Sequence, residues 1–158
     1  MDITSEIRAR LAGEWLPEIY LKTVRPQRTR SYRLDVPPKE NAAEILHTLL
    51  GIELKVGKRR LACPDLSTAR YLRVFARIGC AEVAVPYDIT RISAVADELE
   101  TAWHKTMLLI AENTKSDTPR AAGRNRGRIV KAIRAEIESI GAGDAMPEFK
   151  QAASRRNA

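Results

Sequence analysis

The chain has 158 residues, of which 44% are hydrophobic and 30% are charged, and its formal net charge is +7. These values fit a soluble globular protein with a core of its own. With only two cysteines, Cys63 and Cys80, the chain does not fit a secreted disulfide scaffold. No apolar run approaches the roughly 20 residues that cross a bilayer, and the charged start lacks the apolar core of a signal peptide. We therefore expect a cytoplasmic protein without a membrane span.

The first third of the chain predicts two helices and two strands. Ile3, Ile7 and Leu11 recur at helical spacing, and a glycine follows them. Strand-forming residues come next, and Asn41 with Glu44 fits a capping box. The predicted elements are a helix over 3–13, strands over 19–24 and 31–36, and a short helix over 41–50.

The centre of the chain predicts a hairpin and two longer helices. Apolar and charged residues alternate from 52 to 56, and Gly57 with Lys58 fits a tight turn into a returning strand. Asp65 and Gly79 have the residue types that begin and end a helix. The predicted elements are strands over 52–56, 60–63 and 81–85, and helices over 65–79 and 89–112.

This order of elements predicts one small α/β or α+β domain. We expect a mixed sheet of four or five strands, covered by the two longer helices. After Asn113 the apolar periodicity stops, which is typical of a flexible segment. The predicted divisions are the globular domain at 1–113, a flexible basic linker at 114–127, a short C-terminal helix at 128–140 and a disordered tail at 141–158.

Positive charge is concentrated on either side of a neutral centre. Residues 39–113 hold ten basic and ten acidic side chains. The segment from Lys22 to Arg33 contains no acid, and the segment from Lys115 to Arg134 has seven basic residues and one acid. Such segments bind polyanions by releasing counterions, so nucleic acid is the first partner to expect, without a distinction between RNA and DNA.

The residues predicted to contact nucleic acid lie in three groups. Basic residues of the first segment, 22–33, and of the last segment, 115–134, would contact phosphates. An arginine row on the 65–79 helix, together with the turn before it, would extend this binding surface. For the arginine row, the alternative is that its side chains pair with nearby acids on the protein surface. For the basic segments, the alternative is that the partner is an acidic protein. The predicted contacts are Lys22, Arg25, Arg28, Arg30, Arg33, Arg59, Arg60, Arg70, Arg73, Arg77, Arg120, Arg124, Arg126 and Arg128.

Three further residues carry a resemblance to a nuclease family. Asp35 ends one predicted strand, and Glu53 and Lys55 share a face of another. Without the short inserted helix and the returning strand, the predicted order α-β-β-β-α-β resembles the core of the PD-(D/E)XK nuclease superfamily. The resemblance implies that Asp35 and Glu53 bind Mg²⁺ and that Lys55 orients or activates the attacking water. The alternative is that Glu53 and Lys55 form the solvent face of a strand.

The leading hypothesis is a non-enzymatic protein that binds nucleic acid or associates with a ribonucleoprotein, and it requires no cofactor. The Mg²⁺-dependent nuclease is the alternative. A further alternative is a protein-interaction module or homodimer that uses the apolar stripe of the 89–112 helix. Zinc is not expected, because Cys63, Cys80 and the two histidines lack the spacing of zinc ligands.

Overall fold

The computed structural model describes residues 2–142 and has a mixed α+β fold. A 3₁₀ turn at Ala12–Glu14 connects the first two helices, and a π-helical turn at Tyr20–Val24 extends the second of them. The helices are α1 (Ile3–Leu11), α2 (Leu16–Ile19), α3 (Leu66–Ile78), α4 (Ile89–Asn113) and α5 (Pro119–Ile140). The strands are β1 (Thr29–Arg33), β2 (Ala43–Thr48), β3 (Gly51–Val56), β4 (Arg59–Cys63) and β5 (Glu82–Pro86).

The strands form two antiparallel sheets, so the prediction of one mixed sheet is not confirmed. β1 pairs with β5, and the other sheet has the order β2-β3-β4.

Two tyrosine side chains, rather than a further strand, make hydrogen bonds to the backbone of β5 at Ala84. The Tyr20 hydroxyl accepts a hydrogen bond from the Ala84 N–H at 2.9 Å, and the Tyr71 hydroxyl donates to the Ala84 carbonyl oxygen at 2.5 Å. Both backbone groups are satisfied in this way, which leaves no pairing site for the second sheet there.

One hydrophobic core joins the helices to both sheets. Phe75 lies near its centre, with ring centroids 5.5 Å from Tyr20 and 5.0 Å from Tyr71. Although α4 and α5 are long, none of the helices described here is apolar enough to cross a bilayer. The apolar stripe of α4 is buried in the core at Ile92, Val95, Ala96, Leu99, Ala102, Trp103 and Ile110.

The β3–β4 hairpin and the elements from α3 to α4 lie where the sequence predicts them. Asp65 accepts a hydrogen bond from the Thr68 N–H at 2.7 Å and so caps α3. Gly79 ends that helix with φ of 93°. A Cβ atom at this position would lie 2.3 Å from the carbonyl oxygen of Lys39, so only glycine fits there.

The predicted strand over 19–24 is wrong, because this segment is helical. Pro17 is in the first turn of α2, where the missing N–H and fixed φ of proline favour a helix. Ile19, Tyr20 and Val24 are buried, and this spacing matches a helical face. Packing of that face outweighs the strand propensity of the residues.

The predicted helix over 41–50 is also wrong, because β2 occupies it and pairs with β3. Asn41 does not cap a helix. Its side-chain amide donates to the carbonyl oxygens of Lys39 at 2.9 Å and Ala76 at 3.1 Å, which fixes the loop against the end of α3. The Thr48 hydroxyl accepts from the Leu50 N–H at 3.1 Å and so organises the turn into β3.

The C-terminal segment differs from the predicted linker at 114–127 and short helix at 128–140. α5 begins at Pro119, and the Thr118 hydroxyl accepts from the Ala121 N–H at 3.2 Å. Threonine before proline is a helix start signal that the glycines and arginines obscured. Four apolar residues then bury one face of the helix against the core: Ile129, Val130, Ile133 and Ile137. The predicted tail at 141–158 lies, except for 141 and 142, outside the described residues.

Candidate nucleic-acid interface

The arginine row of α3 is in contact with acids of α4. Arg70 pairs with Asp97 and, at 2.6 Å, with Glu100, and Arg73 pairs with Glu100 at 2.9 Å. Arg77 donates to the Ala43 carbonyl oxygen at 3.3 Å. Burial opposes ionisation of Glu100, but the two arginines outweigh it and the pKa of this carboxyl is lowered. These arginines thus hold α3 to α4 and to the start of β2.

Asp35 lies among basic residues two positions beyond the end of β1, because this strand is Thr29–Arg33 and not the predicted 31–36. Its carboxylate pairs with Arg33 at 3.5 Å and with Arg59 at 3.8 Å. The backbone at Asp35 has φ of 50°, and the N–H groups of Leu34 and Asp35 both donate to the Ala81 carbonyl oxygen, at 2.7 and 3.1 Å. Asp35 thereby offsets one of the two positive charges of Arg33 and Arg59, which the sequence assigns to nucleic acid.

Glu53 and Lys55 lie on the face of β3 opposite the core. Between them Leu54 is fully buried, whereas Glu53 pairs with Arg60 of β4 at 3.3 Å. Lys55 is directly opposite Arg60 in the register and opposite Glu44 of β2. Within residues 2–142 no three His, Cys, Asp or Glu side chains are grouped so that they could hold a metal ion. The nuclease hypothesis stays a prediction.

The first basic segment is divided by the fold. Lys22 pairs with Glu18 one helical turn earlier, at 3.1 Å. Arg25 follows the π-helical turn, and its N–H donates to the Tyr20 carbonyl oxygen at 3.1 Å. Arg30 is half-buried on β1 and has no ion pair with the residues described. This segment therefore presents less free positive charge than its sequence indicates.

The Arg28 guanidinium lies over the ring of Tyr87, with its Cζ atom 5.4 Å from the ring centroid. Both residues line an open cleft of about 490 Å³ at the junction of β5 and α4. Asp88 and Arg91 form another part of the wall, and they pair at 3.7 Å. The sequence interpretation missed Tyr87 and Arg91, because they lie in the neutral centre of the chain.

The solvent face of α5 carries a row of four cations, which we call the α5 basic face. Its members are exposed, and their spacings of four, four and three residues place them on one side of the helix. None forms an ion pair or side-chain hydrogen bond with any residue from 2 to 142. The α5 basic face consists of Arg120, Arg124, Arg128 and Lys131.

Arg126 does not belong to this face. It is half-buried and pairs with Glu40 through two hydrogen bonds, at 2.7 Å and 2.5 Å. Donation of these hydrogen bonds to the Glu40 carboxylate raises the pKa of Arg126. On a helix, Arg126 lies on a different side from Arg124 and Arg128. A prediction that this segment is helical would therefore have separated Arg126 from the exposed arginines.

Two glycines beside the α5 basic face leave the helix backbone open. A Cβ atom at Gly123 or Gly127 would meet nothing within 4 Å. Glycine inside a helix costs about 1 kcal/mol relative to alanine, so neither position serves the stability of α5. A partner can approach the backbone closely between the arginines.

Three comparisons with known proteins were negative. A scan against protein-family models, a search of curated proteins and a search of solved structures each found no match to this chain.

Proposed function

We propose that this protein binds nucleic acid, without cleaving it, through the α5 basic face. The observation that carries the proposal is the separation of the arginines into two sets. Arg70, Arg73 and Arg126 have carboxylates within hydrogen-bonding distance, whereas the four cations of the face have no such partner in residues 2–142. Four cations that form no ion pair within residues 2–142, on one exposed helix face, fit a polyanion.

The energetics of α5 support a partner outside the chain. Like charges four residues apart destabilise a helix by a few tenths of a kcal/mol per pair. Cations near a helix N-terminus also oppose the macrodipole, and Arg120 directly follows the first residue of α5. The phosphates of a bound nucleic acid would remove both costs.

The dimensions also fit. From Arg120 to Lys131 the helix rises about 16 Å, at about 1.5 Å per residue. One strand of B-form DNA presents a phosphate about every 3.4 Å along its axis, so about five phosphates lie within this length. Contacts of this kind position the protein but do not read bases, so we expect little sequence preference.

Fluorescence anisotropy with labelled oligonucleotides tests the proposal, with salt raised from about 50 to 200 mM. On duplex DNA the triple variant R120Q/R124Q/R128Q should bind more weakly, and its log-log salt slope should be smaller by about 2.7, or about 0.9 for each lost contact. The matched control R10Q/K39Q/K58Q removes the same charge from exposed positions on other elements and should keep most of the wild-type slope.

Two outcomes would overturn the proposal. The first is that the wild-type protein binds no oligonucleotide at low salt. The second is that the salt slopes of both triple variants decrease by the same amount, which would mean that net charge alone drives binding. Polyglutamate at equal charge concentration is the comparison for an acidic protein partner. Tighter binding of polyglutamate than of the oligonucleotide would assign the α5 basic face to a protein instead.

A further inference from the structure

The outer edge of β2 has no strand beside it within residues 2–142. At the opposite edge of the same sheet, β4 carries Arg59 and Arg60. The Tyr32 hydroxyl of β1 also covers that edge, because it donates to the Ala62 carbonyl oxygen at 3.3 Å. Proteins usually protect an edge with basic side chains, proline or a cover, but β2 contains no lysine, arginine or proline and has Glu44 as its one charged residue. The edge of β2 is therefore suited to pairing with another strand.

The backbone groups along this edge are not equivalent. In an antiparallel strand, alternate residues direct their N–H and C=O groups to opposite sides. The Ala43 carbonyl oxygen accepts from the Arg77 guanidinium of α3 at 3.3 Å, so it is directed away from β3. Ile45 and His47 are in step with Ala43, and no group outside the sheet within residues 2–142 bonds to their backbone. The edge thus offers the backbone of Ile45 and His47, while Arg77 occupies the carbonyl of Ala43.

We propose that β2 pairs antiparallel with β2 of a second copy of this chain, about a twofold axis at Leu46. In this register Ile45 exchanges both of its backbone hydrogen bonds with His47 of the second copy, and the twofold axis repeats the exchange. The bond from Arg77 to Ala43 is kept. A register centred on Ile45 instead would require the carbonyl that Arg77 already occupies, so the fold itself favours the axis at Leu46.

The side chains along β2 also fit a second copy. Leu46 lies opposite Glu53 in the register, on the face away from the core, and at the axis it would contact its own equivalent. Leu49 and Leu50, in the turn after β2, are fully exposed. Antiparallel pairing places this turn beside the start of the second β2, next to the small exposed residue Ala42. Association would remove apolar surface from water at the axis and at both turns.

Cysteine cross-linking tests the register. Leu46→Cys would place two thiols opposite each other at the axis, with Cα atoms about 4.5 Å apart, which a disulfide can bridge. Glu44→Cys is the matched control on the same strand and face, because its two copies would lie about 13 Å apart, too far for a disulfide. Mild oxidation should convert Leu46→Cys, but not Glu44→Cys, to a covalent dimer on a non-reducing gel. The native Cys63 and Cys80 are buried and should not react.

Size-exclusion chromatography with light scattering measures the dimer itself. The wild-type protein should have twice the mass of one chain at about 100 μM. His47→Pro removes an intermolecular donor but no bond to β3, and Leu46→Lys places like charges at the axis, so both variants should be monomers. Thermal melting verifies that they are folded. A monomeric wild-type protein, equal cross-linking of the two cysteine variants, or dimers of both folded variants would overturn the proposal. These measurements contain no nucleic acid, so they are independent of the proposed function.

Discussion

The hydroxyl of Tyr71 donates a 2.5 Å hydrogen bond to the carbonyl oxygen of Ala84, and both residues are fully buried. The Tyr20 hydroxyl accepts from the N–H of the same alanine and donates to the Gly141 carbonyl oxygen at 2.7 Å. Two phenols therefore satisfy the backbone N–H and carbonyl groups of Ala84, and Tyr20 connects β5 to the end of α5. The arrangement couples the small β1–β5 sheet to the helix that carries the α5 basic face.

Removal of the Tyr71 hydroxyl should destabilise the protein. Tyr71→Phe leaves the buried Ala84 carbonyl oxygen without its donor, which costs about 1 to 3 kcal/mol of unfolding free energy. Urea denaturation measures the change. Tyr32→Phe is the matched control, because its hydroxyl makes an exposed 3.3 Å bond to Ala62, and it should change stability by less than about 0.5 kcal/mol. Equal effects of the two variants would contradict the assigned role of Tyr71.

Stability should fall at alkaline pH. Burial raises the pKa of Tyr20 to about 12, of Cys63 to about 11 and of Cys80 to about 12. The unfolded chain releases these protons earlier, from about pH 9 for thiols and about pH 10 for phenols. The folded state then binds more protons than the unfolded state, so the unfolding free energy decreases as pH rises above about 9.

Urea denaturation between about pH 8 and pH 10.5 verifies this dependence. In the variant C63A/C80A the decrease should begin about one pH unit higher, where only the phenols remain. A wild-type unfolding free energy that stays constant over this range would show that the thiols and phenols titrate alike in both states.

Elements with their own start and end signals could be predicted from the sequence. α3 has Asp65 and Gly79 at its ends, and α4 has an apolar stripe of about five turns, from Ile92 to Ile110. At 41–50 the capping-box signal of Asn41 and Glu44 is misleading, and at 19–24 the strand formers obscure the helix that Pro17 favours. Distant partners decide the structure of both segments. Tyr20 bonds to Ala84, 64 residues away, and β2 requires β3 to form a sheet.

The sequence predicts which arginines the site can use, but not which of them the fold pairs with acids. The sequence identifies the arginines, yet their acids are far along the chain: Glu100 is 27 residues from Arg73, and Glu40 is 86 residues from Arg126. Only the folded chain separates paired arginines from the α5 basic face. Tyr87 has no signal of its own in the sequence, since a tyrosine between a strand and a helix is as often packed as exposed.

The nuclease alternative makes a distinct prediction about Mg²⁺. If the protein only binds, plasmid DNA and single-stranded RNA should remain intact with Mg²⁺, as they do with EDTA, because Asp35 and Glu53 pair with arginines. Gel electrophoresis after prolonged incubation measures this. Mg²⁺-dependent cleavage that both Glu53→Gln and Lys55→Ala abolish would instead establish the nuclease, and Arg10→Gln provides a control variant with a change remote in sequence.

The backbone conformations of Gly123 in α5 and of Gly79 at the end of α3 predict opposite effects of alanine at the two positions. Gly123→Ala should raise the unfolding free energy by about 0.5 to 1 kcal/mol, because alanine favours a helix and its methyl group would meet nothing within 4 Å. Gly79→Ala should lower it by more than about 1 kcal/mol, since φ of 93° and the Lys39 carbonyl oxygen at 2.3 Å both exclude a side chain. Urea denaturation of the two variants measures both changes. If Gly123→Ala had no effect, residues 114–127 would behave as the flexible linker that their composition indicates, and the regular spacing of the α5 basic face would be lost with the helix.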